Sequence, residues 1–153
     1  MLKLIYTENS FYLERLAQSL EEWVTTRTLV SLRAGASFYI EPSTASFLLP
    51  ADLPHLRELE VFVQQDTTDA IAESGAEAFG HAFAKGDAAR TRTPIALSIC
   101  DAQYVEVSLQ GTWLTSDPED EEGIFVTAMN YAVEFFLYQL WQEANHRASV
   151  PKD

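Results

Sequence analysis

The sequence predicts an α+β fold, in which an antiparallel sheet packs its apolar face on flanking helices. Apolar residues alternate with polar ones over residues 27–49 and again over 95–110, as expected for strands that have one buried face. Residues 124–141 form a nearly continuous apolar stretch of helical length. With 153 residues, the chain matches a single domain, 1–153.

The N-terminal half is predicted as a strand, a helix and a meander of three strands. Residues 2–6 have the composition of a short strand. Asn9 or Ser10 can cap a helix, because apolar residues then recur at helical spacing up to Trp23. From residue 27 the period changes to two, and turns are expected at Gly35 and at Pro42.

The middle of the chain is predicted to contain one or two helices. Residues 53–63 fit a helix capped by Asp52, but the alternation of Leu59, Val61 and Val63 also fits a strand. Both assignments stay open at this point. Residues 68–84 fit a helix, because apolar residues recur there every four positions.

A β-hairpin is predicted from residues 95–100 and 104–110. Directly opposed residues must share a face of the sheet, and a loop at 101–103 satisfies this requirement. The resulting register places Ile95, Leu97 and Ile99 opposite Leu109, Val107 and Val105. Gly111 then predicts a bulge or bend.

The final helix is predicted to begin at Asp117, which is followed by Pro118 and two carboxylates, a favourable order for a helix N-terminus. Its apolar stretch covers more than one face, so the helix should require a second partner surface. One stripe is expected to face the sheet. The other is the predicted dimer or partner surface, consisting of Ile124, Ala128, Tyr131, Phe135 and Tyr138.

Composition restricts the classes of partner. The formal net charge is −13, which disfavours nucleic-acid binding. The acidity is interpreted as a solubilising surface or, as the alternative, a surface suited to a basic partner. Cys100 is the only cysteine, which excludes an internal disulfide and favours the cytoplasm. Because Glu134 and Asn130 lie within the apolar stretch, that stretch is a poor membrane span.

The sequence has no recognisable catalytic motif and implies no cofactor. The acidic run at 117–122 does not match an EF-hand, and the three histidines lie far apart and form no HExxH motif. Glu134 is expected either on a narrow wet stripe of the helix or buried with a partner. Two alternatives to a binding protein remain: a small enzyme or metal-dependent hydrolase that uses Glu106 or Glu134, and a ligand-binding sensory domain. The sensory domain would have an aromatic pocket built from Phe125, Tyr131, Phe135 and Trp141.

The order of elements resembles that of the type III secretion chaperones and the YbjN-like proteins. The resemblance is carried by the 27–49 meander, the 94–110 hairpin and the helix that begins at Asp117. The N-terminal strand and the possible paired helices between Leu53 and Ala84 depart from it. The resemblance implies a homodimeric, non-enzymatic protein that binds other polypeptides. We therefore expect a non-catalytic, chaperone-like or regulatory protein-binding module. Its predicted element order is (β)-α-β-β-β-α(α)-β-β-α.

Overall fold

A computed structural model describes residues 1–65, 95–99 and 101–149 of the chain. These residues form one antiparallel sheet of six strands with three helices, which confirms the α+β fold. In chain order the elements are β1 (Leu2–Thr7), β2 (Ser10–Arg15), α1 (Leu20–Ala34), β3 (Tyr39–Pro50), α2 (56–65), β4 (Ile95–Ile99), β5 (Tyr104–Thr115), β6 (Gly123–Thr127) and α3 (Tyr131–Ser149).

Strand β5 organises the sheet, whose order is β2-β1-β6-β5-β3. One edge of β5 pairs with β3 over its whole length. Its other edge is divided, because the first half pairs with β4 and the second half pairs with β6. Strand β6 in turn pairs with β1, which forms a hairpin with β2. Strand β5 therefore joins β3 and β4 to the part of the sheet that β6, β1 and β2 form.

The main core lies between one face of the sheet, called here the front face, and helices α2 and α3. Helix α3 contributes Val133, Leu137 and Leu140, which are buried against this face. The residues before and within α2 contribute Leu53, Leu56 and Leu59. The strand residues of this core are Leu2, Leu4, Leu13, Ala45, Phe47, Leu49, Ile95, Val105, Val107, Leu109 and Phe125.

A smaller core lies on the opposite, back face of the sheet, beneath α1. Trp23 of α1 packs there with Met1, Leu114 and Val126. Ser19 caps this helix by accepting a hydrogen bond from the Glu22 backbone N–H. Gly35 ends it with φ +68°, a left-handed conformation that glycine adopts without steric cost.

The N-terminal helix and the meander are corrected by the structure. Residues 10–15 form strand β2, because Leu13 pairs with Leu4 and joins the front-face core. The helix begins ten residues later and includes residues 27–34, which were expected to be a strand. Only β3 remains of the meander. It runs straight through Pro42, which an edge strand tolerates because its outer N–H groups need no partner.

The start of the final helix is also corrected. Asp117 accepts a hydrogen bond from the Glu119 backbone N–H within a turn, and residues 123–127 form strand β6. Helix α3 starts only at Tyr131, after Asn130 has accepted a hydrogen bond from the Ala132 N–H. Strand β6 buries Phe125 in one core and Val126 in the other. The long apolar stretch therefore combines a strand buried on both faces with a helix buried on one.

Other predictions are confirmed. Strand β1 forms as expected, and the β4–β5 hairpin has the predicted register, with Ile95, Leu97 and Ile99 opposite Leu109, Val107 and Val105. Residues 56–65 are helical, which resolves the helix-or-strand alternative at 53–63. The helix predicted at 68–84 lies outside the described residues. No helix in the described part of the chain is long and apolar enough to cross a membrane.

The two sides of α3 should differ strongly in their contribution to stability. Leu137 is fully buried, so Leu137→Ala should lower the free energy of unfolding by about 2–5 kcal/mol through lost burial and a residual cavity. The control Gln139→Ala, on the exposed side, should change it by less than about 0.5 kcal/mol. Urea denaturation measures both values. Similar costs for the two variants would contradict the placement of α3.

Candidate functional site

The five residues of the predicted dimer surface do not form one helical stripe. Ile124 lies on β6 and packs under α1 on the back face, whereas α3 packs on the front face. Ala128 is exposed in the segment before α3. Only Tyr131, Phe135 and Tyr138 lie on the helix. The reason is the intervening strand, which interrupts the helical period that the stripe required.

Tyr131, Phe135 and Arg15 form an exposed cluster, called here the Arg15–aromatic patch. The two rings stack with centroids 6.5 Å apart and an interplanar angle of 4°. The Arg15 guanidinium carbon lies 3.9 Å from the centroid of the Tyr131 ring and 5.6 Å from that of Phe135. Tyr131 is 68% exposed and Phe135 is 43% exposed. The buried Nε of Arg15 has no hydrogen-bond partner among the described residues.

Tyr138 is only half-buried and belongs to a different aromatic group. Its ring stacks on Trp141 with centroids 6.3 Å apart, and its hydroxyl accepts a hydrogen bond from Gln142. Trp141 in turn contacts Phe11 of β2. This group closes the side of the main core and leaves Tyr131 and Phe135 as the exposed aromatic residues of the predicted surface.

Glu134 is buried with a partner, the second of the two alternatives considered for it. Its Oε2 lies 2.6 Å from the α-ammonium nitrogen of Met1, and its Oε1 accepts a hydrogen bond from the Met129 backbone N–H. The ammonium also donates to the Leu16 carbonyl oxygen. The carboxylate thus ties the start of β1 to the first turn of α3.

Glu106 does not join Glu134 in a shared site. It lies on β5, between the front-face residues Val105 and Val107, and accepts a hydrogen bond from the Ser98 hydroxyl of β4. Its side chain therefore lies on the back face, whereas Glu134 belongs to α3. Among residues 1–65, 95–99 and 101–149, no group of three or more metal-ligating side chains could hold a metal ion.

The four residues expected to build an aromatic pocket are dispersed. Phe125 is 1% exposed in the main core, while Tyr131 and Phe135 lie on the surface. Trp141 packs against Phe11 and Tyr138. These four side chains therefore do not enclose one cavity.

An open cleft of about 380 Å³ lies instead on the front face, lined by strands and by the β5–β6 loop. Its aromatic walls are Tyr6 and Trp113, whose rings meet edge to face with centroids 5.5 Å apart. Phe125 also lines it, and Glu41 and Glu121 are its two acidic residues. Burial raises the pKa of Tyr6, so its hydroxyl remains neutral to higher pH than usual. We call this the acidic aromatic cleft.

Two glycines make room for the aromatic side chains of the cleft. A Cβ at Gly123 would overlap the indole ring of Trp113, and a Cβ at Gly111 would collide with the Val126 carbonyl and the tip of the Phe125 ring. The sequence predicts a bulge or bend at Gly111 and indicates no role for Trp113, whereas β5 keeps an unbroken register with β3 through Gly111. The available signal was the position of Trp113 between Gly111 and Gly123 in the sequence. The pairing of β5 with β6 brings these glycines close to the aromatic side chains of the cleft.

His55 forms an ion pair with Glu58 at the start of α2. Its Nδ1 lies 2.9 Å from the Glu58 carboxylate, and this hydrogen bond and charge raise the pKa of the imidazole. His55 has φ 66°, which is unusual for a non-glycine residue, and it precedes α2 in the turn. Its side chain is exposed.

The Alr0857-like family matches residues 1–79 and 81–145, which cover almost the whole chain. The chain belongs to the Alr0857-like family. No curated protein and no solved structure matches it. The matched residues include the sheet, most of α3 and the residues that line the cleft. A function is therefore inferred from the geometry of the patch and the cleft.

Removal of the Glu134 charge should destabilise the protein. Glu134→Gln leaves the Met1 ammonium buried without a counter-charge, so the free energy of unfolding should fall by about 3–5 kcal/mol. As a control, Glu14→Gln breaks the Lys3–Glu14 pair, whose carboxylate is half exposed, and should cost less than about 1 kcal/mol. Chemical denaturation at neutral pH compares them. An equal or smaller effect of Glu134→Gln would refute a structural role for the buried pair.

The titration of His55 should depend on Glu58. NMR should give His55 a pKa above its ordinary value of about 6.5. The Glu58→Gln variant should bring this pKa down, whereas Glu60→Gln on the same helix should leave it nearly unchanged. Because the folded-state pKa is raised, the pair stabilises the fold below the unfolded-state pKa. This contribution is lost as the pH rises through the folded-state value. A midpoint insensitive to Glu58→Gln would show that the hydrogen bond is not formed.

Proposed function

We propose that the protein is a non-catalytic, polypeptide-binding, chaperone-like or regulatory module that acts as a homodimer. The observation that supports this most directly is the Arg15–aromatic patch. Tyr131 and Phe135 expose a stacked aromatic surface, and Arg15 lies against it. Tyrosine, phenylalanine and arginine are enriched at the centres of protein interfaces.

The patch suits an interface between two copies of the chain. In a twofold dimer the same patch is buried on both subunits, so a surface built from one helix turn and the end of one strand is sufficient to nucleate contact. Stacked rings lose little conformational entropy on burial, because their positions are already fixed by one another and by Arg15.

The charge of the chain favours basic partners for such a dimer. A formal net charge of −13 repels nucleic acids and attracts cationic polypeptide segments over long range. The single cysteine is consistent with action in a reducing compartment such as the cytoplasm. In this proposal the Arg15–aromatic patch holds the dimer together and the acidic surface selects the partner.

Dimerisation through the patch can be tested by sedimentation. We expect the wild-type chain to sediment as a dimer at micromolar concentration. The double variant Tyr131→Ser, Phe135→Ser should raise the dissociation constant at least about 30-fold, the effect of losing one interface hot spot, without loss of native circular dichroism. The control Leu48→Ser changes a residue that is 54% exposed on the back face and should leave the dimer intact.

Two sedimentation results would contradict the proposal. The first is a monomeric wild-type chain across the micromolar range. The second is an equal weakening by Leu48→Ser, since it would show that general surface hydrophobicity, and not the Arg15–aromatic patch, drives association.

A further inference from the structure

The geometry points to the acidic aromatic cleft as a binding site for an arginine side chain of a polypeptide partner. This inference names the chemistry of the partner and so rests on the proposed function. It depends on a surface made of different residues from the Arg15–aromatic patch, since the cleft is lined by strands and by the β5–β6 loop.

The aromatic walls provide the first part of the recognition. Trp113 and Tyr6 line an open volume of about 380 Å³, and each is partly exposed. A guanidinium group is planar and weakly hydrated, so it stacks on such rings more readily than an ammonium group does. Tryptophan is the best partner for this interaction, and Trp113 is fixed in place by contact with the Gly123 backbone.

The two carboxylates provide the second part. Glu41 is on β3, directly opposite Trp113 in the strand register, and Glu121 is in the loop that leads into β6. Neither side chain has an ion-pair or hydrogen-bond partner within residues 1–65, 95–99 and 101–149. Carboxylates beside an aromatic ring can accept the N–H groups of a guanidinium while the ring contacts its face.

The packing around the cleft leaves two of its aromatic residues partly exposed. Gly111 and Gly123 each lie where a side chain would collide with the cleft residues, so the backbone approaches the rings as closely as it can. Phe125 lies at the base, with 1% exposure, and the neighbouring Tyr6 and Trp113 stay only partly buried. The result is a rigid aromatic surface that remains accessible to a ligand.

The test is an NMR titration of the full-length chain with a short glycine–serine peptide that contains one central arginine. We expect the indole N–H signal of Trp113 to shift and saturate. The same peptide with citrulline, a neutral isostere of arginine, should produce no such shift. Glu41→Gln and Glu121→Gln should each weaken binding about fivefold, because each removes one charge partner at an exposed position.

Glu119→Gln is the matched control. Glu119 is exposed in the same loop and does not line the cleft, so its substitution removes the same charge and should leave the affinity unchanged. An equal weakening by Glu119→Gln would overturn the inference in favour of diffuse attraction. The absence of any Trp113 shift at millimolar peptide would also overturn it. Binding of N-methylguanidinium as tight as that of the peptide would overturn the polypeptide as the source of the cation.

These outcomes are separable from those of the proposed function. Peptide binding that leaves the Trp113 signal unchanged would reject the cleft and support the binding module. A monomeric chain that still binds the arginine peptide at Trp113 would support the cleft and reject the homodimer.

Discussion

The sheet depends on the ability of β5 to hold three partner strands. It pairs with β3 along one edge and with β4 and β6 in succession along the other, so it carries both hairpin and long-range contacts. Gly111 lies where β5 passes from β4 to β6, and its lack of a side chain lets the Val126 carbonyl and the Phe125 ring approach. Without that close approach β6 could not enter the sheet, and β1 would have no neighbour on that side.

Helix α3 follows from this arrangement. Once β6 is in the sheet, the chain leaves it at Thr127 and α3 can cover the front face with Val133, Leu137 and Leu140. The buried Glu134 then meets the Met1 ammonium and fixes the first turn of the helix against β1. The same turn carries Tyr131 outward, beside Arg15 at the end of β2. The exposed patch is thus a consequence of how the core closes.

The two surfaces proposed to act in binding have different chemical characters. The Arg15–aromatic patch is apolar with a cation, which suits contact with a second copy of the same surface. The acidic aromatic cleft is aromatic with two carboxylates, which suits a cation. A division of this kind would allow association and partner recognition to be changed separately by substitution.

The sequence by itself determined the α+β class, the β4–β5 hairpin with its register, and the strongly negative net charge. These features depend on local period and on total charge, which a single chain displays directly. Periodicity could not place residues 10–15, 27–34 and 123–127, because short apolar segments fit strand and helix equally well. Only the tertiary structure decided them, through the pairing of Leu13 with Leu4 and of Phe125 with both Leu4 and Trp113. For the same reason the cleft and the Arg15–aromatic patch could not be read from the chain, since each joins residues that are distant in sequence and become neighbours only when the sheet forms.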